Sequence, residues 1–123
     1  MEDRKHFLFL NIGHFLDHFF LLIFATAAAL SLATEWQLSY GELIPYSTAG
    51  FIAFGLFSLP SGWLADKWSR EGMMFIFFLG IGLSSIGTSM ARTPIEMALW
   101  LFAIGMFASI YHPVGLAMIA KGG

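Results

Sequence analysis

Apolar residues run along the chain in long stretches separated by short polar breaks. The first stretch extends from about Phe7 to Ala33, the second from about Leu43 to Leu64, the third from about Met73 to Met90 and the last from about Ile95 to Ile119. Thr34, Glu35, Gln37, Ser39, Gly41 and Glu42 form the first break, Asp66 to Gly72 a charged loop, and Arg92-Thr93-Pro94 a short link. About 20 helical residues cross the ~30 Å hydrocarbon layer, and no stretch alternates in the manner of a barrel strand. The pattern therefore predicts an all-α membrane protein with four transmembrane helices, over 7–33, 43–64, 73–90 and 95–119. Pro94 suits a first helical turn, where its missing N–H costs nothing.

Composition agrees with lipid as the solvent. Hydrophobic residues make up 58% of the chain and charged ones 11%, too little charge to cover a water-soluble domain. A net charge of -2 gives no footprint for nucleic acid. With no cysteine, disulfides and thiolate metal sites are excluded. Arg4 and Lys5 precede the first stretch, and Ala25-Thr26-Ala27 has the small residues of a signal cleavage site. The stretch is nevertheless too long for a signal h-region and carries His14, Asp17 and His18, so the first helix is expected to stay.

Basic residues set the expected orientation. With a cytoplasmic N-terminus, Arg4, Lys5, Lys67, Arg70 and Lys121 lie inside and Arg92 alone outside. The expected location is thus the cell (inner or plasma) membrane, with Trp36 and Trp68 at helix ends where interfacial aromatics belong. Pro60 and Pro113 predict bends in helices that face other protein. Gly80, Ser84 and Thr88 share one face of the third helix, and Gly105 and Ser109 one face of the fourth, as in small-xxx-small contacts.

The loop between the second and third helices carries a motif. Gly62-Trp63-Leu64-Ala65-Asp66-Lys67-Trp68-Ser69-Arg70-Glu71 resembles the signature loop of the major facilitator superfamily, Gly-x-Leu-Ala-Asp-Arg-x-Gly-Arg-Arg. Gly62, Leu64, Ala65, Asp66 and Arg70 match, and Lys67 keeps a positive charge. Ser69 stands in place of glycine and Glu71 in place of a basic residue. The resemblance implies the first part of the N-terminal six-helix half of a twelve-helix transporter, within which residues 1–123 form one stretch. It also implies that Gly62, Asp66, Lys67 and Arg70 act as a conformational latch, stabilising the outward-open state. Tyr111-His112-Pro113-Val114-Gly115 is similar to a tract of the fosmidomycin-resistance-like branch of that superfamily, which implies drug export driven by protons.

Ionisable groups inside the predicted helices mark the chemistry. At 100° per residue Asn11, His14, Asp17 and His18 fall in one arc of about 120°, and Ile12, Leu16, Phe19, Phe20 and Ile23 in another. The polar arc is expected to face protein or a water-filled cavity and the apolar arc lipid. An ionised Asp at the bilayer centre costs roughly 2.5–3.5 kcal/mol on insertion scales, so Asp17 needs compensation. Counted at 1.5 Å per residue, His14 and His112 lie at the same depth, ~10 Å from the cytoplasmic end. Asp17, with His14 or His18, is a candidate to bind and release a coupled proton, with Asn11, Tyr111 and His112 lining the cavity. A fixed hydrogen-bond network and direct substrate contact remain the other two roles open to these residues. His14 and His18 are spaced as in His-x-x-Glu-His metalloenzymes, but no further carboxylate lies within the interior of the other three helices to complete a zinc site. No phosphate cradle or nucleophile elbow is present.

These readings point away from an enzyme. They predict a secondary active transporter, expected to export small molecules in exchange for protons by alternating access and to need no cofactor. Its partners would be a small-molecule substrate, protons, lipid and the missing C-terminal helices; an isolated chain of this length is expected not to transport. The alternative is a small multi-pass membrane scaffold or regulator that transports nothing.

Overall fold

The computed structural model describes residues 2–122, with the side chains of residues 2, 17, 20, 21, 25, 28, 29, 121 and 122 outside the description. The described residues form helices and turns throughout. Helix α1 (Glu2–Ala27) continues through a π-helical turn (Ala28–Leu32) into a last α turn (Ala33–Glu35). Gln37 ends it with a positive φ of 55°. The Leu38 N–H reaches back to the Ala33 carbonyl at 3.0 Å, the long bond that closes a helix after a left-handed residue.

Ser39 then opens the next span with a capping box. Its hydroxyl accepts from the Glu42 N–H at 3.1 Å, and the Glu42 carboxylate accepts from the Ser39 N–H at 2.8 Å. A short helix (Tyr40–Leu43) and a 3-10 turn (Ile44–Ser47) containing Pro45 lead into α2 (Thr48–Lys67). Helix α3 (Arg70–Ser89) starts at Ser69, and α4 (Pro94–Ala108) at Thr93 with Pro94 in its first turn. Helix α4 passes through a second π-helical turn (Tyr111–Gly115) into α5 (Leu116–Gly122).

Three of these units are long and apolar enough to cross a membrane: Tyr40–Lys67, Arg70–Ser89 and Pro94–Ala120. Each begins before the expected boundary, because the caps recruit polar residues that a hydropathy pattern leaves to the loop. Pro60 does not interrupt the α-helical run of α2, and it is exposed. The expectation that it faces other protein is therefore not met within these residues. Pro113 does mark a break, lying inside the π turn.

Helix α4 is the hub, packed most extensively against α2 and then α3. The small residues supply its contacts. A Cβ at Gly105 would fall on the Gly50 carbonyl, so α2 and α4 meet backbone to backbone. Further along the same two helices, the buried hydroxyls of Ser61 and Ser109 lie 3.3 Å apart. On α3, Gly80 receives the Phe107 ring and Gly87 the Trp100 ring. Two apolar clusters result. One holds Leu10, Met73, Phe77, Ile81, Tyr111 and Val114. The other, towards the opposite ends of the helices, holds Phe24, Leu43, Met97, Leu101 and Ile104.

Candidate functional site

Helix α1 docks through Leu10, Gly13 and Phe24, all buried. On a helical projection this stripe overlaps one edge of the predicted polar arc. His14 meets the bundle through its ring contacts with Tyr111 and His112, and Asn11, His14 and His18 are all exposed along the seam. Ile12, Phe19 and Ile23 of the apolar arc are exposed. The Asn11 amide donates to the Phe7 carbonyl of its own helix at 2.8 Å. Asp17 lies on α1, but its side chain is outside the described residues.

Three imidazoles meet at this seam. The His14 ring centroid lies 5.1 Å from that of His18 and 5.8 Å from that of His112, and His18 and His112 are 5.6 Å apart. Tyr111 completes the group, stacked on His14 at 5.1 Å and 12° between planes. The Tyr111 ring is buried against Phe77 at 5.8 Å. Phe54 of α2 meets the edge of His112 at 5.3 Å. Sequence reasoning named His14, His18, Tyr111 and His112 but not Phe54 or Phe77, which hydropathy does not distinguish from other core phenylalanines.

The π turn puts Tyr111 and His112 where they are. Pro113 has no N–H to donate, and π turns accommodate such breaks in the hydrogen-bond ladder. Beside the cluster a groove of roughly 410 Å³ opens along α1, lined by Asn11, His14, Phe15, His18, Phe19 and Leu22. Among the described residues no three His, Cys, Asp or Glu side chains are arranged to hold a metal ion.

The signature-like loop is a separate place. The Arg70 guanidinium, at the start of α3, donates across the loop to the Asp66 carboxylate near the end of α2 at 3.0 Å. Lys67 is exposed. Gly62 packs on Pro113, whose Cβ lies 3.1 Å from where a Gly62 Cβ would stand. The two departures from the family pattern have local reasons. Ser69 caps α3, accepting from the Gly72 N–H at 2.9 Å. Glu71 sits in the first turn of α3, where the helix dipole favours an acid. Trp68 folds over Gly72, with ring atoms 2.6 Å from where a Cβ would stand.

A helical bundle with membrane-length apolar spans and a loop of this pattern agrees with comparison to known proteins. The family profile of the Major Facilitator Superfamily matches residues 10–121. The chain belongs to the major facilitator superfamily. That is a family of transporters, and membership makes this chain part of a multi-pass membrane protein.

Two relatives are similar to it. The Escherichia coli (strain K12) protein named "Putative metabolite transport protein YaaU" is 29% identical over 96% of this chain and 26% of its own length. The gallate transporter of Pseudomonas putida is 28% identical over 76% of this chain and 21% of its own length. The chain thus spans about a quarter of the length of these curated relatives. No solved structure matches it.

Proposed function

We propose that this chain contributes the opening helices of a proton-coupled secondary transporter for small organic solutes, with the imidazole cluster between α1 and the π turn as its proton site. The observation that carries this reading is the mutual approach of His14, His18 and His112 within 5.1–5.8 Å. Intramembrane ionisable groups are costly and mark ion or proton pathways. Histidine is the side chain whose charge changes near neutral pH. Asp17, on the same helix, is assigned to the same site as a proton acceptor.

In this reading α1 is a fourth span. Its 26 residues reach about 39 Å, more than the hydrocarbon thickness. The N-terminus and the Asp66–Arg70 loop then lie in the cytoplasm, and the ion pair acts as a latch that holds in one state and opens in the other. The relatives' names, which speak of metabolite transport and of gallate, favour small metabolites and aromatic acids over drugs as first substrates to try. Export is the direction implied by the Tyr111–Gly115 resemblance.

The test uses the transporter encoded by the whole reading frame, in vesicles of both orientations under an imposed pH gradient, with labelled gallate and a panel of small organic acids as probes. Gradient-driven flux is expected, and its direction relative to the gradient distinguishes export from uptake. His14→Gln with His112→Gln, and separately Asp17→Asn, should uncouple flux from the gradient while protein remains folded in the membrane. Flux that follows the gradient undiminished in both variants rejects the proton site.

A further inference from the structure

We infer that Gly115 is a positioning residue for the imidazole cluster: it forms the floor on which Tyr111 lies, and Tyr111 in turn fixes the plane of His14. The inference rests on the proton-site reading and adds to it the element that sets its geometry. Tyr111 and Gly115 are the first and last residues of the π turn. A side chain at position 115 would lean back towards the helix N-terminus, and its Cβ would stand 2.7 to 3.0 Å from atoms of the Tyr111 ring. That is closer than carbon atoms pack.

The ring has nowhere else to go. Tyr111 is 1% exposed, with Phe77 on one flank. On the side of α1, Gly13 admits it so closely that a Cβ there would lie 3.2 Å from Phe77 and 3.5 Å from Tyr111. The His14 ring is stacked on it at 5.1 Å, and His112 meets it edge-on at 5.9 Å. Anything that lifts Tyr111 off Gly115 therefore displaces His14, and with it the spacing to His18 and His112. Among the described residues, the titratable groups facing His14 are His18 of its own helix and Tyr111 and His112 of the π turn. Phe77 and Phe78 of α3 border the same seam without charge, their rings 5.1 Å apart.

The experiment is histidine-selective NMR of the protein in lipid nanodiscs, followed across a pH titration. In the parent protein the ring protons of His14 should be displaced upfield by the Tyr111 ring current, and Tyr111→Phe should preserve that displacement. Gly115→Ala should abolish it and change the titration curve of the three-histidine set. Gly55→Ala, at a site with open space around it, should leave both unchanged. Tyr111→Leu adds no bulk at position 115 and should also abolish the displacement, so the inference stays testable if Gly115→Ala does not fold. His14 resonances that stay at their parental position in Gly115→Ala, or in Tyr111→Leu, would overturn the positioning role. A lost displacement combined with an unaltered pH dependence of flux would uphold the positioning role and reject the proton-site reading instead.

Discussion

At Gly105 the neighbouring helix leaves no room for a side chain, and what stands in the way is backbone, the Gly50 carbonyl. Backbone does not swing aside as a side-chain tip does, so Gly105→Ala should cost at the upper end of the ~1–3 kcal/mol typical of overpacked sites. Gly82, with open space around it, is the matched control, and Gly82→Ala should be neutral or gain roughly 0.5–1 kcal/mol from helix propensity. Equilibrium unfolding in mixed micelles reads both. Ser61→Ala removes one side of the buried hydroxyl pair, but Ser109 also donates to the Met106 carbonyl at 2.5 Å. The expected loss is therefore small, about 0.6 kcal/mol, the average for interhelical hydrogen bonds in membranes. The small residues themselves were legible in the sequence as stripes on two helix faces. Their partners were not, because a stripe specifies close approach without naming which helix approaches. Ser69 shows the converse: in the sequence it is only a departure from a family pattern, and in three dimensions it is the cap of a helix.

Helix ends were read less well than helix middles, and the caps explain why. Hydropathy begins a span at its first apolar residue, whereas the helix begins at the side chain that satisfies its first N–H groups. Ser39, Ser69 and Thr93 each do this from within a polar break. Thr93 accepts from the Glu96 N–H at 3.2 Å, and Glu96 reaches back to the Arg92 N–H at 2.7 Å. Thr93→Ala should therefore cost about 1 kcal/mol, with Thr93→Asp close to neutral, in the same unfolding assay. At the other kind of end, Gln37 occupies the left-handed region at φ 55°. A residue with a Cβ is strained there by roughly 1–2 kcal/mol, so Gln37→Gly should stabilise the protein by about 1 kcal/mol. A destabilised Gln37→Gly variant would count against the closed helix end. The π turns were invisible to periodicity because each adds a single residue. Only Pro113 hinted at one, and nothing in Ala28–Leu32 did.

For the whole molecule the governing fact is how much apolar surface the helices leave uncovered. Leu30, Leu59, Met90, Leu99 and Phe75 all expose two-thirds or more of their area, which a water-soluble domain does not tolerate in such number. Lipid and further helices are the surroundings this surface suits, and the charged residues are what the proposed orientation rests on. Arg4, Lys5, Lys67 and Arg70 gather where α1 starts and where α2 hands over to α3, and Arg92 stands at the opposite turn. The sequence made this sorting legible because topology depends on loop charge, which needs no fold to be read. Helix rise alone put His14 and His112 at one depth, but the ring spacings among His14, His18 and His112 depend on the docking angle of α1 and on the one-residue offset of the π turn, which periodicity does not carry. The absence of cysteine offers a direct check of orientation, since any introduced thiol is the sole one in the chain. In intact cells a membrane-impermeant maleimide should label Arg92→Cys and spare Asp3→Cys and Lys67→Cys, and the pattern should reverse in inside-out vesicles. Asp3→Cys and Lys67→Cys must behave alike if α1 crosses the membrane, because an even number of spans, α1 and α2, separates them. If they fall on opposite sides, α1 does not span, and the imidazole cluster lies at a membrane surface instead of within the hydrocarbon.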